Sequence, residues 1–138
     1  MTTQQQLAKN AHENILKVTD SEKKKYGTMA HKLPILIRTA GLAQALAFVQ
    51  ARGSEAQHKL LDHLAQTINI QGISDKDGLT KASREAALSQ YIFLTRRVMD
   101  ALVWYKRFTE SILRVTARDA DDEVDQLEAE STAETVGG

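Results

Sequence analysis

Cysteine is absent from the 138 residues and proline occurs once. The first absence excludes disulfides and thiolate metal sites and fits a reducing cytoplasm. The second, with no stretch that alternates branched and polar residues, points to helix throughout. No apolar run reaches the length of a membrane span. The first residues, rich in Gln, Asn and Ala, lack the apolar core of a signal peptide. The expectation is a soluble, cytoplasmic, all-α protein with no membrane partner, long enough to bury one core unaided.

Charge is present in equal amounts of each sign, 18 Lys and Arg against 18 Asp and Glu, but it is not evenly placed. From Asp119 onward there are eight acidic residues and no basic one. The first 118 residues therefore hold every Lys and Arg against ten acids. A basic body suits a polyanion such as nucleic acid, because cations that neutralise phosphates release condensed counterions. Solvated surface lysines account for the same excess equally well. The division predicts a helical bundle domain over residues 1–118. Residues 119–138 read as an acidic, disordered tail, poor in large apolar residues, or as a phosphate mimic that lies back on the basic face.

Periodicity predicts a single-domain bundle of about five to six helices with a long C-terminal helix. Leu7, Ala11, Ile15 and Val18 recur at steps of three or four and define a first amphipathic helix over residues 4–18. A second segment, residues 22–38, contains Gly27 and Leu33-Pro34, so two short pieces with a kink or break before the proline are expected. Gly41 separates it from residues 42–51, almost wholly apolar and read as a buried core helix. Gly53 ends that piece, Ser54 can cap the next, and Leu60, Leu61, Leu64 and Ile68 make another stripe. After a turn over residues 72–78, one helix is expected over residues 79–116. Its seam is Tyr91, Leu94, Val98, Ala101, Tyr105, Phe108, Ile112 and Val115. At about 100° per residue, Arg96, Arg107, Arg114 and Arg118 fall within roughly 40° of one another opposite that seam. Such a stripe spans roughly 33 Å. Asp100 and Glu110 lie close to it, as on an ordinary solvated face.

Residues suited to chemistry do not assemble into a site. Of the four histidines, His58 and His63 are five apart and point about 140° away from each other, whereas a metal pair needs steps of three or four. Surface histidine is the better reading. Asp75-Lys76-Asp77-Gly78 resembles a piece of a calcium loop, but position twelve is Ala86 where a bidentate Glu is needed, so a turn and helix start is expected. Gly27, Gly41 and Gly53 stand alone, without a phosphate-binding loop, and no nucleophile motif occurs. The carboxylates of the tail cannot be held within catalytic tolerance. The expectation is a binding protein with no enzymatic activity, no cofactor and no metal.

Two stretches resemble a known family. The first is Lys24-Lys25-Tyr26-Gly27, His31-Lys32-Leu33-Pro34-Ile35-Leu36-Ile37-Arg38, Gly41-Leu42 and Ala45-Leu46-Ala47-Phe48. The second is Ala101-Leu102-Val103-Trp104-Tyr105-Lys106-Arg107-Phe108 at the end of the segment from Tyr91. Together they are similar to the small α-helical subunit of the type III-B CRISPR effector, the Cmr complex, over residues 1–118, the acidic tail lying outside the pattern. The resemblance implies a non-catalytic subunit of an antiviral ribonucleoprotein. Several copies would stack along guide RNA and target RNA, against backbone subunits and further copies of the same chain. Sequence choice there is delegated to base pairing, so phosphate and shape contacts suffice.

The candidate RNA-binding residues are Lys32 and Arg38 beside the Leu-Pro turn, Arg96, Arg97, Lys106, Arg107 and Arg114 toward the C-terminus, and Lys24 and Lys25 with Lys23. Trp104 either completes the core or contacts another subunit. The competing reading is a helical protein–protein adaptor whose basic face meets acidic proteins without RNA contact. Steep salt dependence belongs to phosphate binding and separates the two.

Overall fold

In a computed structural model that describes residues 1–121, six α-helices and a π-helical turn are followed by a short helical turn at the end of the described residues. Helix α1, Thr3–Ile15, begins in a capping box: Thr2 Oγ1 accepts from the Gln5 amide at 3.1 Å, and Gln5 Oε1 accepts from the Thr2 amide at 2.8 Å. Such reciprocal bonds satisfy amides that have no partner inside the helix. Leu7, Ala11 and Ile15 are buried as their spacing predicts, chiefly against the last long helix.

Helix α2, Lys23–Ala40, runs through Pro34 without a break, contrary to the expected division. An internal proline costs about 3 kcal/mol through the lost N–H bond and ring clash. Here Leu33 is wholly buried and Ile37 nearly so, and burial of that order on both sides of the proline offsets the cost. Gly41, at φ 88°, joins α2 to α3, Leu42–Arg52. That backbone favours glycine, and Tyr91 Oη lies 3.2 Å from where a Cβ would stand. The same phenol accepts from the Ala43 amide at 3.2 Å, capping α3. Helix α3 is not the fully buried core helix expected: Leu42, Ala45, Leu46 and Val49 are inside, but Phe48 is half exposed.

Helix α4, Glu55–Thr67, opens on the predicted Ser54 cap, completed by Gln57. Its stripe of Leu60, Leu61 and Leu64, with Ile68 beyond its end, is fully buried. The stretch that resembles a calcium loop is a helix start, since Asp75 Oδ1 accepts from the Gly78 amide at 2.7 Å at the head of α5, Lys76–Glu85.

The single long helix expected over residues 79–116 is divided. Ala86 and Ala87 are extended, and α6, Leu88–Phe108, begins afresh. Alanine is the best helix former, so the break has no local cause. It comes from packing: α5 lies against α3 and α4, whereas α6 lies chiefly against α1, with lesser contact to α2 and α4, and one straight rod cannot follow both paths. Beyond α6 a π-helical turn, Thr109–Leu113, leads to Arg114 at φ 62°, and the chain hooks back onto α2. There Val115 is buried, and its carbonyl accepts from His31 Nε2 at 3.0 Å. Residues 117–121 are helical, with Thr116 and Asp119 capping one another. The expected tail thus begins inside an ordered turn for residues 119–121, and residues 122–138 lie outside the described residues.

The hook requires Gly27. A Cβ there would stand 2.7 Å from Val115 Cβ and 2.8 Å from Thr109 Cγ2. A mid-helix Gly→Ala change ordinarily stabilises by about 0.5–1 kcal/mol. In this chain Gly27→Ala should instead destabilise by about 1–3 kcal/mol, the usual cost of overpacking. Urea unfolding of Gly27→Ala, Val115→Gly and the double variant checks this. The double variant should lose less than the sum of the singles, since the two changes act on one shared approach.

Candidate nucleic-acid interface

Helices α2 and α6 run antiparallel: Tyr26 lies beside Tyr105 at 6.5 Å between ring centroids, and Gly41 lies beside Tyr91. That arrangement sorts the candidate cations by level. Lys24 and Lys25, exposed in the first turn of α2, stand at the Arg107 and Arg114 end of the frame. Arg38, exposed in the last turn, stands at the Arg96 end.

Arg96 and Arg107 share the outer face of α6, eleven residues apart and so about 16 Å along the axis, and both are exposed. The expected stripe does not extend further as drawn. Arg114 occupies the left-handed residue after the π turn and Arg118 a separate helical turn, so neither stands where a continued helix would place it. Both are nevertheless exposed.

The remaining candidates are partly engaged. Lys23 pairs with Asp20 at 3.3 Å. Lys32 and Lys106 are half-buried. Arg97 donates to the Ile68 carbonyl at 3.0 Å and lies 5.0 Å from the centroid of the Phe93 ring. Its guanidinium closes a carbonyl at the end of α4. Trp104 is half-buried, so it both packs and shows a surface. Its Nε1 donates to Gln4 Oε1 at 3.0 Å, Phe108 stacks on it at 6.0 Å, and the Arg107 guanidinium covers it at 4.9 Å.

Two histidines read as surface residues are in the core: His31 and His63 are 4% and 7% exposed. His63 Nδ1 lies 2.7 Å from Tyr26 Oη. Thr67 Oγ1 donates to the His63 carbonyl at 2.7 Å and lies 2.6 Å from Tyr105 Oη. Asn14 Nδ2 donates to Tyr105 Oη at 3.2 Å and to Thr67 Oγ1 at 3.4 Å. Nothing in the local sequence announces this network, whose links between helices join residues 37 to 91 positions apart. His58 has a structural task too, donating to the Val49 and Gln50 carbonyls at the end of α3.

The strongly shifted groups of the core belong to this network. Burial lifts the Tyr26 phenol well above its usual range and pushes Tyr105 up to about 12. Burial, helped by the Lys59 and Lys17 charges, lowers His63 to about 4, with Asp62 and Glu22 opposing. These groups face one another inside the bundle. An open groove between the α4–α5 loop, α5 and the start of α6 has only Lys81 and Glu85 as ionisable lining, and no metal-ligating cluster occurs among the described residues.

Residues 3–112 match the family model described as CRISPR-associated protein Cmr5. The chain belongs to the Cmr5 family. The resemblance of its two sequence stretches to the Cmr small subunit is thereby confirmed. A curated relative, the CRISPR system Cmr subunit Cmr5 of Thermus thermophilus, is 44% identical over 113 residues, covering 81% of this chain and 96% of the relative. The crystal structure of a Cmr5 family protein from the same organism superposes with a TM-score of 0.71 at 42% identity, over 81% of this chain and 98% of that one. The Cmr5 match ends at residue 112, inside the π turn. The hook through Val115 and the acidic residues after it lie beyond the matched stretch.

His63 makes stability depend on pH. Unfolded, it takes up a proton near 6.5; folded, near 4. Between those values the unfolded chain binds more protons, so stability is complete above 6.5 and falls as pH drops toward 4, by about 3 kcal/mol in all. Glu22, held near 2 by bonds from Lys59 and Thr19, acts only below 4.5. Urea midpoints measured between pH 7 and 5 should therefore fall for the native chain and stay nearly level for His63→Gln. An equal slope in both proteins refutes the assignment.

Proposed function

We propose that this Cmr5-family chain is a non-catalytic small subunit of a type III-B Cmr effector in the cytoplasm, packed against backbone subunits and further copies of itself along guide RNA and target RNA. One observation carries the reading: a relative called a Cmr subunit is 44% identical over 96% of its own length. The surface agrees in kind. Lys24, Lys25, Arg38, Arg96 and Arg107 are exposed on α2 and α6 and Arg114 in the turn beyond them, and cations without a base-reading motif suit phosphate and shape contacts.

A protein-only adaptor is the second reading, favoured by large apolar side chains on the same helix. Leu88 is 75% exposed, and Ile92 and Phe93 about half, as where another subunit docks. The two surfaces are compatible, and salt separates their contributions.

Fluorescence anisotropy of labelled single-stranded and guide-paired RNA, with the chain mixed with the effector's backbone subunit, tests the proposal. Binding should weaken log-linearly with salt, by about 0.7 of a unit of slope per single-strand phosphate neutralised. The double reversal Lys24→Glu with Lys25→Glu should flatten the single-strand slope by about 0.7 of a unit for each lysine that neutralises a phosphate, about 1.4 units where both do. If the assembly forms and the reversals at Lys24, Lys25, Arg38 and Arg96 all leave RNA binding unchanged, the chain is a protein spacer and the adaptor reading replaces this one.

A further inference from the structure

Two arginines of α6 lie over aromatic rings, but only one is otherwise unengaged. Arg97 covers Phe93 while its guanidinium holds the Ile68 carbonyl. Arg107 covers Trp104 at 4.9 Å, is exposed, and has no ion pair among the described residues. Its platform is fixed from beneath. The indole N–H is held by Gln4 of α1 at 3.0 Å. Phe108 stacks on the indole with planes 28° apart, and Phe108 in turn meets His12 edge-on at 5.2 Å. The indole is therefore anchored by two helices, and the exposed Arg107 guanidinium lies over its ring at the protein surface.

The geometry points to a stacking site for an unpaired nucleobase on Arg107 and Trp104, at the α1–α6 face. A guanidinium laid on an indole loses little rotamer freedom when a second planar group adds to it. Nucleobases stack on both arginine planes and aromatic rings, and the guanidinium supplies a cation–π component. A lysine at position 107 would keep the charge and lose the plane. The site differs in kind from the phosphate contacts of the exposed lysines. It rests on the RNA reading above and adds to it a preference for single-stranded over fully paired RNA.

Trp104 is the only tryptophan in the chain, so its emission reports on this site. The full chain is titrated at low salt with a short oligoadenylate and, separately, with inorganic polyphosphate of matched charge. Stacking predicts that the oligoadenylate quenches Trp104 and polyphosphate does not. Arg107→Lys should lower oligoadenylate affinity about 10-fold, within the range measured for loss of one base–aromatic stack, while the salt slope stays unchanged because the charge is retained. If both ligands bind, neither alters the emission and Arg107→Lys binds like the native chain, the contact is phosphate only: the inference fails and the RNA reading stands. If neither ligand binds, both fail together. If the emission responds to the backbone subunits and not to RNA, the platform is a protein contact and the inference is overturned.

Discussion

The architecture depends on one buried hydrogen-bond network, in which Asn14, Tyr26, His63, Thr67 and Tyr105 tie α1, α2, α4 and α6 together at the centre of the bundle. Leucine and alanine surfaces pack in many nearly equivalent ways, since apolar contact carries little direction. A phenol or an amide in the same interior must meet its partner or forfeit about 1–3 kcal/mol. Sliding α6 by one turn against α4 would separate Tyr105 from Thr67 and leave the buried phenol without its α4 partners. The network thus sets register, a task the apolar core performs poorly. It also holds His63 in the interior, where burial and the nearby Lys59 and Lys17 charges favour the neutral imidazole.

From that register the outer features follow. With Tyr26 beside Tyr105, Gly27 comes level with Thr109 and Val115. The close approach there lets the C-terminal hook lie flat on α2, and His31 closes it through the Val115 carbonyl. At the other end, Gly41 comes level with Tyr91, whose hydroxyl then caps α3. Two glycines at the two ends of α2 admit α6 and its extension along the whole contact. The cations on the far sides are positioned by these contacts and make few of their own.

How much of this was legible in the sequence follows from the range of the forces involved. Periodicity located the buried faces of α1, α4 and α6, and local capping chemistry located Ser54, because both depend on residues within four of each other. Family resemblance reached further than either, through the tyrosine, glycine and Leu-Pro pattern of α2 and the Trp-Tyr-Lys-Arg stretch of α6. What failed was whatever tertiary packing decides. The break at Ala86-Ala87 lies in the best helix-forming dipeptide available, and the continuity through Pro34 defies the strongest local breaker; both are set by what α2, α5 and α6 must touch. The arginine wheel failed for a related reason, since a projection at 100° per residue assumes an unbroken helix, and the π turn ends that assumption at Phe108.

Arg97 and Arg107 show why charge alone could not sort the candidate surface. Both are arginines of one helix, one turn beyond an aromatic residue, and both lie over that ring at nearly equal distance, 5.0 and 4.9 Å. One faces the C-terminal end of α4 and is held by a carbonyl there; the other faces outward. The difference is which side of α6 each occupies once the core has set the helix's rotation. An exposed arginine on a fixed indole combines charge with a planar surface, which a flexible lysine cannot offer. In the proposed RNA contact, Arg107 is the position where the chemistry of the ligand, beyond its charge, would be felt.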